Sequence, residues 1–281
     1  MIMQSLGKKI RMDRLFRGKA GRFMEVLVDH TIARGIQPGL IRIEDTLDRI
    51  IAGKPNAVTM HKGLAARFFG KYSGSGVSLI LKTSSPSKYN PTCHAWVADM
   101  EEAVSYGADG IATGSIFCGK DQLVQMERLG ALTKEAAKFG MPVIGHIYPN
   151  GEMVEPAKRE DWQYVAYAAR AGAELGVDVL KVHHSGEPET FARIVEAVPA
   201  PVVLAGGSAG NTIRDYVSMA RNALDAGAAG VAFGRFVWSY PNTAALIQAL
   251  QYMVQEDASL DETMDRLDRL ERGAKPEGKQ E

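Results

Sequence analysis

Two stretches of the chain repeat one pattern, and this repeat restricts the fold more than any other feature of the sequence. Residues 101–115 read EEAVSYGADGIATGS and residues 221–235 read RNALDAGAAGVAFGR, and residues 171–186 form a looser third copy. The pattern is helical at first, then turns at Gly-Ala and continues as a short apolar run. Glycine ends helices because it accepts a left-handed backbone, and a short β-branched run is typical of a buried parallel strand. The repeat therefore predicts helices alternating with parallel strands.

Applied to the whole chain, the pattern predicts eight strands and a helix after each one. The strands are expected at 24–29, 56–60, 77–82, 109–113, 141–148, 178–182, 201–205 and 229–233. The helices are expected at 40–52, 62–69, 96–106, 121–139, 161–175, 189–197, 212–226 and 243–254. Eight such units indicate an α/β fold, a single-domain (β/α)8 TIM barrel. The alternative, an open doubly wound sheet, usually has six or fewer strands and a GxGxxG motif after the first.

Two terminal segments lie outside this barrel, which is expected to span residues 23–258. The N-terminal extension, 1–22, is rich in Lys and Arg and could face a phosphate, but a strap across the bottom of the barrel is favoured. Residues 259–281 are expected to form a helix and then a disordered tail. Leu260, Met264, Leu267 and Leu270 give that helix an apolar face, which packs either on the barrel or against another subunit.

The overall composition excludes several classes of protein. Formal net charge is 0 at pH 7, whereas nucleic-acid or membrane-surface binding needs a basic excess. No apolar run approaches the roughly 18 residues of a membrane span, and the first residues lack the apolar core of a secretory signal. Two cysteines are too few for a disulfide framework. We therefore expect a cytoplasmic protein with no nucleic-acid and no membrane partner.

In barrels of this kind the catalytic side chains project from the carboxyl ends of the strands. Lys181 ends the apolar run VDVLK, so its ammonium is expected near the barrel mouth. Burial lowers the pKa of a lysine and makes a neutral amine that can attack a carbonyl. Alternatively, Lys181 binds a phosphate or pairs with Asp29 or Glu187.

A glycine-rich segment, PVVLAGGSAGNT at 201–212, follows the seventh strand, and FGR follows the eighth. Glycines let backbone N–H groups approach an anion, and barrel phosphate sites recur after strands seven and eight. A phosphate site is favoured here over simple turn glycines. Its residues would be Gly206, Gly207, Ser208, Gly234 and Arg235.

Three further groups stand at strand ends. Tyr148 could relay protons if a cation such as Lys181 lowers its pKa, or it could simply close the mouth. Asp29 ends MEVLVD, and a carboxylate there needs a partner or a catalytic role. All six histidines, at 30, 61, 94, 146, 183 and 184, fall near strand ends. A metal site is disfavoured because no His-x-His occurs, and adjacent His183 and His184 should point to opposite faces.

Taken together, VDH, IYPNG, VLKVHH, LAGGS and FGR give the chain a family resemblance over residues 24–240. It resembles the archaeal-type class I fructose-bisphosphate aldolases, whose relatives include an aminodideoxy-heptulosonate synthase and an autoinducer phospho-sugar thiolase. The resemblance implies a Schiff-base lysine at Lys181, a proton-transfer residue at Tyr148 and an acidic partner at Asp29. It also implies a ketose phosphate held by the glycines and Arg235, with Lys82 matching a lysine of some relatives.

The chain departs from that family pattern at two places. Relatives commonly carry DHG and YPRG, whereas this chain has DHTIARG and Asn150 in YPNG. Asn150 cannot neutralise a phosphate, so either Arg34 compensates or the aldehyde partner lacks a phosphate. Further substrate contacts are expected at His30, Lys82, His146, Asn150 and His183.

The sequence thus predicts a class I aldolase that makes or breaks a carbon–carbon bond in a ketose phosphate. Fructose 1,6-bisphosphate or a related sugar phosphate would give dihydroxyacetone phosphate and an aldehyde, in carbohydrate metabolism such as glycolysis. We expect a homo-oligomer with no cofactor and no metal. The alternatives are a transaldolase or thiolase sibling with the same lysine, and a non-catalytic phosphosugar-binding barrel. The combination of Lys181, Tyr148 and Asp29 argues against the last of these.

Overall fold

The structure, a computed structural model, describes residues 5–207 and 212–274. Its ten strands are β1 (Phe23–Leu27), β2 (Ala57–Met60), β3 (Ser78–Lys82), β4 (Ser84–Ser87), β5 (Asn90–Trp96), β6 (Gly110–Ile116), β7 (Val143–Tyr148), β8 (Val179–Val182), β9 (Val202–Ala205) and β10 (Gly230–Phe233). All except β4 and β5 form a closed parallel barrel in the order β1-β2-β3-β6-β7-β8-β9-β10. The predicted (β/α)8 barrel and its eight strands are confirmed.

Helices cover the outside of this barrel. They are α1 (Leu6–Leu15), α2 (His30–Arg34), α3 (Ile43–Ala52), α4 (Lys62–Phe68), α5 (Met100–Ser105), α6 (Gln122–Phe139), α7 (Trp162–Glu174), α8 (Pro188–Ala197), α9 (Ile213–Asp225), α10 (Arg235–Trp238), α11 (Thr243–Glu256) and α12 (Leu260–Ala274). Gly107 and Gly227 follow α5 and α9 at φ 67° and 94°, as expected of glycines that end helices. Within the described residues no helix is both long and apolar enough to cross a membrane.

The prediction of a helix over 96–106 was wrong at its start. Trp96 belongs to β5, which pairs with β4 in an antiparallel hairpin that the sequence reading missed. Asp99 begins the helix instead, because its carboxylate accepts the Glu102 N–H at 2.8 Å while the Glu102 side chain accepts the Asp99 N–H. The hairpin follows β3 directly and therefore lies at the mouth, where the Lys88 N–H donates to the Ile32 carbonyl.

Strand alternation divides the core into two clusters. Residues that face the helices form the larger one, and residues that face the barrel interior form the smaller one. Each strand of an eight-stranded barrel is shifted by one residue relative to its neighbour. Alternate strands therefore contribute the interior residues of one layer, and the registers give layers of four. The lower layer is Glu25, Ile80, Ile144 and Val203; the lysine layer is Thr59, Ala112, Lys181 and Ala232; the upper layer is Leu27, Lys82, His146 and Ala205.

Helix α1 closes the bottom of the barrel, the position favoured for the strap. Leu15 is fully buried in the interior cluster. The basic residues of α1 pair with acidic residues that precede barrel strands: Lys8 with Asp178 at 2.7 Å and Arg14 with Asp109 at 2.8 Å. These cations lie at the opposite end of the barrel from Lys181.

Helix α12 packs on the barrel, which is one of the two placements expected for it. Leu267 is 2% exposed, and the Tyr240 hydroxyl donates to the Glu271 carboxylate at 2.6 Å. Arg214 on α9 pairs with Asp261. The expected disordered tail, from residue 275 onward, lies outside the described residues.

Candidate active site

Lys181 lies on β8 inside the barrel, 9% exposed. The other members of its layer, Thr59, Ala112 and Ala232, are small, which leaves room for a long side chain. Burial lowers the pKa of Lys181, against the opposing charges of Glu25 and Asp29. Among the described residues no ion pair within 4.0 Å joins Lys181 to Asp29 or Glu187. This is the environment that makes a lysine nucleophilic.

A second lysine stands one layer higher. The Nζ atom of Lys82 lies 3.5 Å from Asp29 Oδ2 and 2.7 Å from His146 Nδ1. Burial lowers the pKa of Lys82 to about 8, although Asp29 opposes that shift. Burial would raise the pKa of Asp29, but the charges of Lys82, His30 and Lys181 lower it to about 2. Asp29, which precedes α2, is therefore a carboxylate paired with Lys82 rather than with Lys181.

Glu25 is a residue of this site that sequence reasoning missed. It is fully buried in the barrel interior, where its Oε1 accepts a hydrogen bond from the Thr59 hydroxyl. Burial raises the pKa of Glu25, and the charge of Lys181 is the largest influence that lowers it. The signal was available: in FMEVL, period-two alternation places Phe23, Glu25 and Leu27 on one face.

Tyr148 ends β7 and stacks on His183, with ring centroids 4.4 Å apart. Burial raises the pKa of Tyr148, and the charges of Asp29 and Glu25 raise it further. The charge of Arg34 opposes this rise without reversing it, so the lowered pKa on which a proton-relay role was made conditional is not found. The phenol is protonated at neutral pH, so Tyr148 enters any reaction as a proton donor.

The predicted phosphate residues lie at the ends of β9 and β10. Gly207 borders open space, because a Cβ atom there would meet only His183 Nδ1, at 3.6 Å. Gly206 is more confined, and the Gly207 N–H donates to the Ala205 carbonyl at 2.9 Å. Ser208 lies outside the described residues. Thr212 caps α9 by accepting the Asp215 N–H.

Exposed arginines stand on the same side of the mouth. Partial burial and the charge of Arg235 lower the pKa of Arg34, and both arginines also lower the pKa of His30 and of His183. Asn150 follows Tyr148 by two residues and is half-buried. Arg34 and Arg235 therefore act on each other and on the histidines near Gly207 and Gly234, while Asn150 follows the end of β7.

Glycine at 234 makes the approach of α2 to β10 feasible. A Cβ atom there would lie 2.4 Å from His30 Cε1. His30 Nδ1 lies 3.6 Å from Asp29 Oδ1, and its ring packs edge-on against Trp238. This close packing places His30 and Asp29 beside the predicted phosphate glycines.

The remaining histidines do not converge on one point. His184 stacks on Phe191 of α8 while His183 stacks on Tyr148, so the two point to opposite faces as predicted. His94 belongs to the β4–β5 hairpin, where Ser84 Oγ lies 3.2 Å from its Nδ1. Both ring nitrogens of His61 are buried without a hydrogen-bond partner in the described structure. Within the described ranges no three His, Cys, Asp or Glu side chains are placed to hold a metal ion.

The site contains the groups that are needed to form an imine with a carbonyl compound. A buried amine with a lowered pKa provides the nucleophile, and a neutral phenol provides a proton. A carboxylate held ionised by a second lysine provides fixed negative charge near both.

Comparison with known proteins is consistent with this chemistry. The family model of the DeoC/LacD family aldolases matches residues 23–240. A 2-amino-3,7-dideoxy-D-threo-hept-6-ulosonate synthase of Halobacterium salinarum is 32% identical over 257 residues, covering 91% of this chain and 94% of that protein. A class 1 fructose-bisphosphate aldolase of the same organism is 33% identical over 222 residues, with coverages of 75% and 80%.

A solved structure gives the same result. A Schiff-base-forming fructose-1,6-bisphosphate aldolase, 28% identical, superposes with a TM-score of 0.78 over 88% of this chain and 99% of the other. The family model covers nearly the whole barrel. The chain therefore belongs to the DeoC/LacD family of aldolases, class I Schiff-base enzymes of the aldehyde-lyase type.

Proposed function

We propose that this enzyme cleaves or forms a carbon–carbon bond in a ketose phosphate. In the cleavage direction, fructose 1,6-bisphosphate or a related sugar phosphate gives dihydroxyacetone phosphate and an aldehyde. The observation that carries the proposal is the buried Lys181 on β8, which has no ion-pair partner among the described residues and lies on the barrel strand next to β9, the strand that leads into Gly206 and Gly207. Lys82 is the other buried lysine of the site, but its amine contacts Asp29 and His146. This difference favours Lys181 as the nucleophile.

In this mechanism the neutral amine of Lys181 attacks the C2 carbonyl, and loss of water leaves a protonated imine. Tyr148 donates the proton that leaves with this water, and its phenolate then takes the proton of the C4 hydroxyl. The C3–C4 electrons move into the imine, which gives an enamine and the aldehyde. Protonation and hydrolysis of the enamine release the second product. Gly206, Gly207, Ser208, Gly234 and Arg235 hold the phosphate so that C2 stands at the lysine.

Borohydride trapping tests this proposal. Reduction in the presence of dihydroxyacetone phosphate should attach the substrate covalently to Lys181, located by mass spectrometry of the peptides. Lys82 is the internal control, because it is a second buried lysine of the same site. The adduct should disappear in Lys181→Met. An adduct on Lys82 alone, or on neither lysine, would overturn the proposal.

A second candidate is a sibling reaction, aldol or acyl transfer on the same lysine. Two observations favour keeping it: Asn150 at the second phosphate position, and the heptulosonate synthase among the relatives. Turnover of fructose 1,6-bisphosphate with production of triose phosphate supports the first candidate. Trapping by dihydroxyacetone phosphate without such turnover supports the second. A cytoplasmic location, a role in glycolysis and a homo-oligomeric state remain predictions.

A further inference from the structure

Glu25 is a buried carboxyl that the mechanism above does not use. It is 0% exposed, and while Oε1 accepts from the Thr59 hydroxyl, Oε2 has no hydrogen-bond partner in the described structure. An unpaired buried polar atom is unfavourable, and more so if it is charged. Such a group is expected to have a partner in some state of the reaction cycle.

Glu25 and Lys181 both face the barrel interior, from strands β1 and β8, which stand three places apart around the barrel. Glu25 belongs to the lower layer, one step below the lysine layer. Thr59 and Ala232 stand on the strands that flank β1, and both belong to the lysine layer. Because both are small, neither fills the lysine layer above Glu25 with a large side chain.

The charges around the two groups couple them to each other. Lys181, Asp29 and Lys82 face Glu25, and Lys181 has the largest effect of the three. Glu25, Asp29 and Arg34 face Lys181, and Glu25 has the largest effect. Asp29 is engaged by Lys82, which leaves Glu25 as the carboxyl available to Lys181. Burial penalises the charged form of each, so a neutral carboxyl beside a neutral amine is favoured over two charges.

We propose that Glu25 is the proton partner of Lys181: the pair holds one proton in the free enzyme, and the Glu25 carboxylate balances the charge of the imine. This inference rests on the proposed function. A neutral amine and a ketone give a neutral carbinolamine, and Tyr148 donates the proton with which its hydroxyl leaves as water while the C=N bond forms. Dihydroxyacetone phosphate has no C4 hydroxyl to reprotonate the phenolate, so Glu25 returns a proton to Tyr148 and becomes the carboxylate that faces the imine. A carboxyl, an amine and a ketone thus become a carboxylate, an imine cation and water, without a proton from solvent.

Proton counting by isothermal titration calorimetry tests this assignment. Dihydroxyacetone phosphate is titrated into the whole enzyme in buffers of different ionisation enthalpy, and sn-glycerol 3-phosphate, which lacks the carbonyl, corrects for protonation of the phosphate. The wild type should take up about zero protons per imine, because Glu25 supplies the proton. Glu25→Gln, which can still accept from Thr59, should take up about one in the alkaline range, since its free lysine has no acid partner. Glu256→Gln, a surface change at the other end of the barrel, should behave as wild type.

Two results would overturn the inference. One is uptake of a full proton by the wild type, a measurement that does not depend on whether Glu25→Gln folds. The other is an identical proton count in wild type and Glu25→Gln. Infrared difference spectra should also lose a protonated-carboxyl band when the imine forms in the wild type, and persistence of that band counts against the assignment. Borohydride trapping on Lys181 distinguishes failure of the proposed function from failure of the role of Glu25. Without an adduct the proposed function fails, whereas an adduct with the wrong proton count rejects only the role of Glu25.

Discussion

The Nζ atom of Lys82 lies 2.7 Å from Nδ1 of His146, and this contact fixes what the histidine can do. Burial and the charge of Lys82 hold the pKa of His146 well below its usual range, so the ring is neutral. Since Nδ1 accepts from the ammonium, Nε2 carries the hydrogen. Nε2 is buried without a partner in the described structure, so His146 has a free donor inside the barrel. A substrate hydroxyl is the acceptor that we expect there.

Replacing Lys82 by Met should shift the acid limb of the pH–activity profile. Lys82 is the main charge that lowers the pKa of Asp29, and without it burial raises that pKa. Because Asp29 provides fixed negative charge near Lys181 and Tyr148 only as a carboxylate, activity should be lost at higher pH in the variant than in the wild type. The profile of kcat/KM measures the shift, and Lys88→Met on the hairpin is the matched control. An unchanged acid limb would show that Lys82 does not hold Asp29 ionised.

Asn150→Arg should change the selectivity between substrates with one and with two phosphates. A guanidinium can pair with a phosphate that an amide cannot neutralise. A charge-assisted hydrogen bond contributes about 1.5–3 kcal/mol, roughly a 10- to 150-fold change in relative kcat/KM in favour of fructose 1,6-bisphosphate over fructose 1-phosphate. Asn150→Gln keeps the amide and should leave the ratio near that of the wild type. Equal ratios for Arg and Gln would show that position 150 does not face the second phosphate.

Gly114→Ala should destabilise the hairpin at the barrel mouth. A Cβ atom at this position would lie 2.0 Å from His94 Cε1, so the histidine must move. Overpacking of this kind typically costs about 1–3 kcal/mol of unfolding free energy. Gly130→Ala is the control, because no heavy atom stands within 4 Å of its Cβ position in α6, and alanine there should stabilise the helix by about 1 kcal/mol. Urea unfolding of both variants compares the two effects.

The protein should lose stability as the pH falls from about 6.5 toward 4. Burial lowers the pKa of His30 and of His183 to about 4 and that of His94 to about 3. A folded pKa below the unfolded value of 6.5 means that the unfolded chain binds more protons in this window. Stability is therefore complete above pH 6.5 and declines below it, by at most about 1.4 kcal/mol per pH unit for each histidine.

Urea midpoints at a series of pH values measure this decline. His94→Asn keeps a hydrogen-bonding side chain near Ser84 but cannot titrate, so the slope should fall by up to one proton. Asp29 contributes only near the lower end of this window, because its pKa is about 2 in the folded protein and 3.8 is its ordinary value. A slope that is unchanged in His94→Asn would contradict the prediction.

The sequence was sufficient for the barrel because each barrel strand is a short apolar run followed by turn residues. The position of Lys181 inside the barrel followed from that pattern. The hairpin at 84–96 was missed because its strands are largely polar, contain proline and pair only with each other. Their sequence therefore lacks the apolar alternation from which strands are recognised.

Local sequence patterns could not predict which distant residues of the chain contact each other. The sequence suggested Asp29 as a partner of Lys181, whereas the structure pairs it with Lys82. It made a relay role for Tyr148 conditional on a cation that lowers its pKa, whereas burial raises that pKa. Both outcomes depend on which side chains meet inside the closed barrel and on how little water remains there, neither of which is encoded in residue spacing.

The three small residues around Lys181 have a consequence for protein engineering. Thr59, Ala112 and Ala232 share the layer of Lys181, so their size limits the room beside the amine, and each comes from a different strand. Adding a single methyl group at any of them would reduce this room without altering an ionisable group. A redesign for bulkier ketone substrates should therefore keep Thr59, Ala112 and Ala232 unchanged. It should vary only the β4–β5 hairpin and the loops that follow the strands, which can be exchanged independently of the barrel.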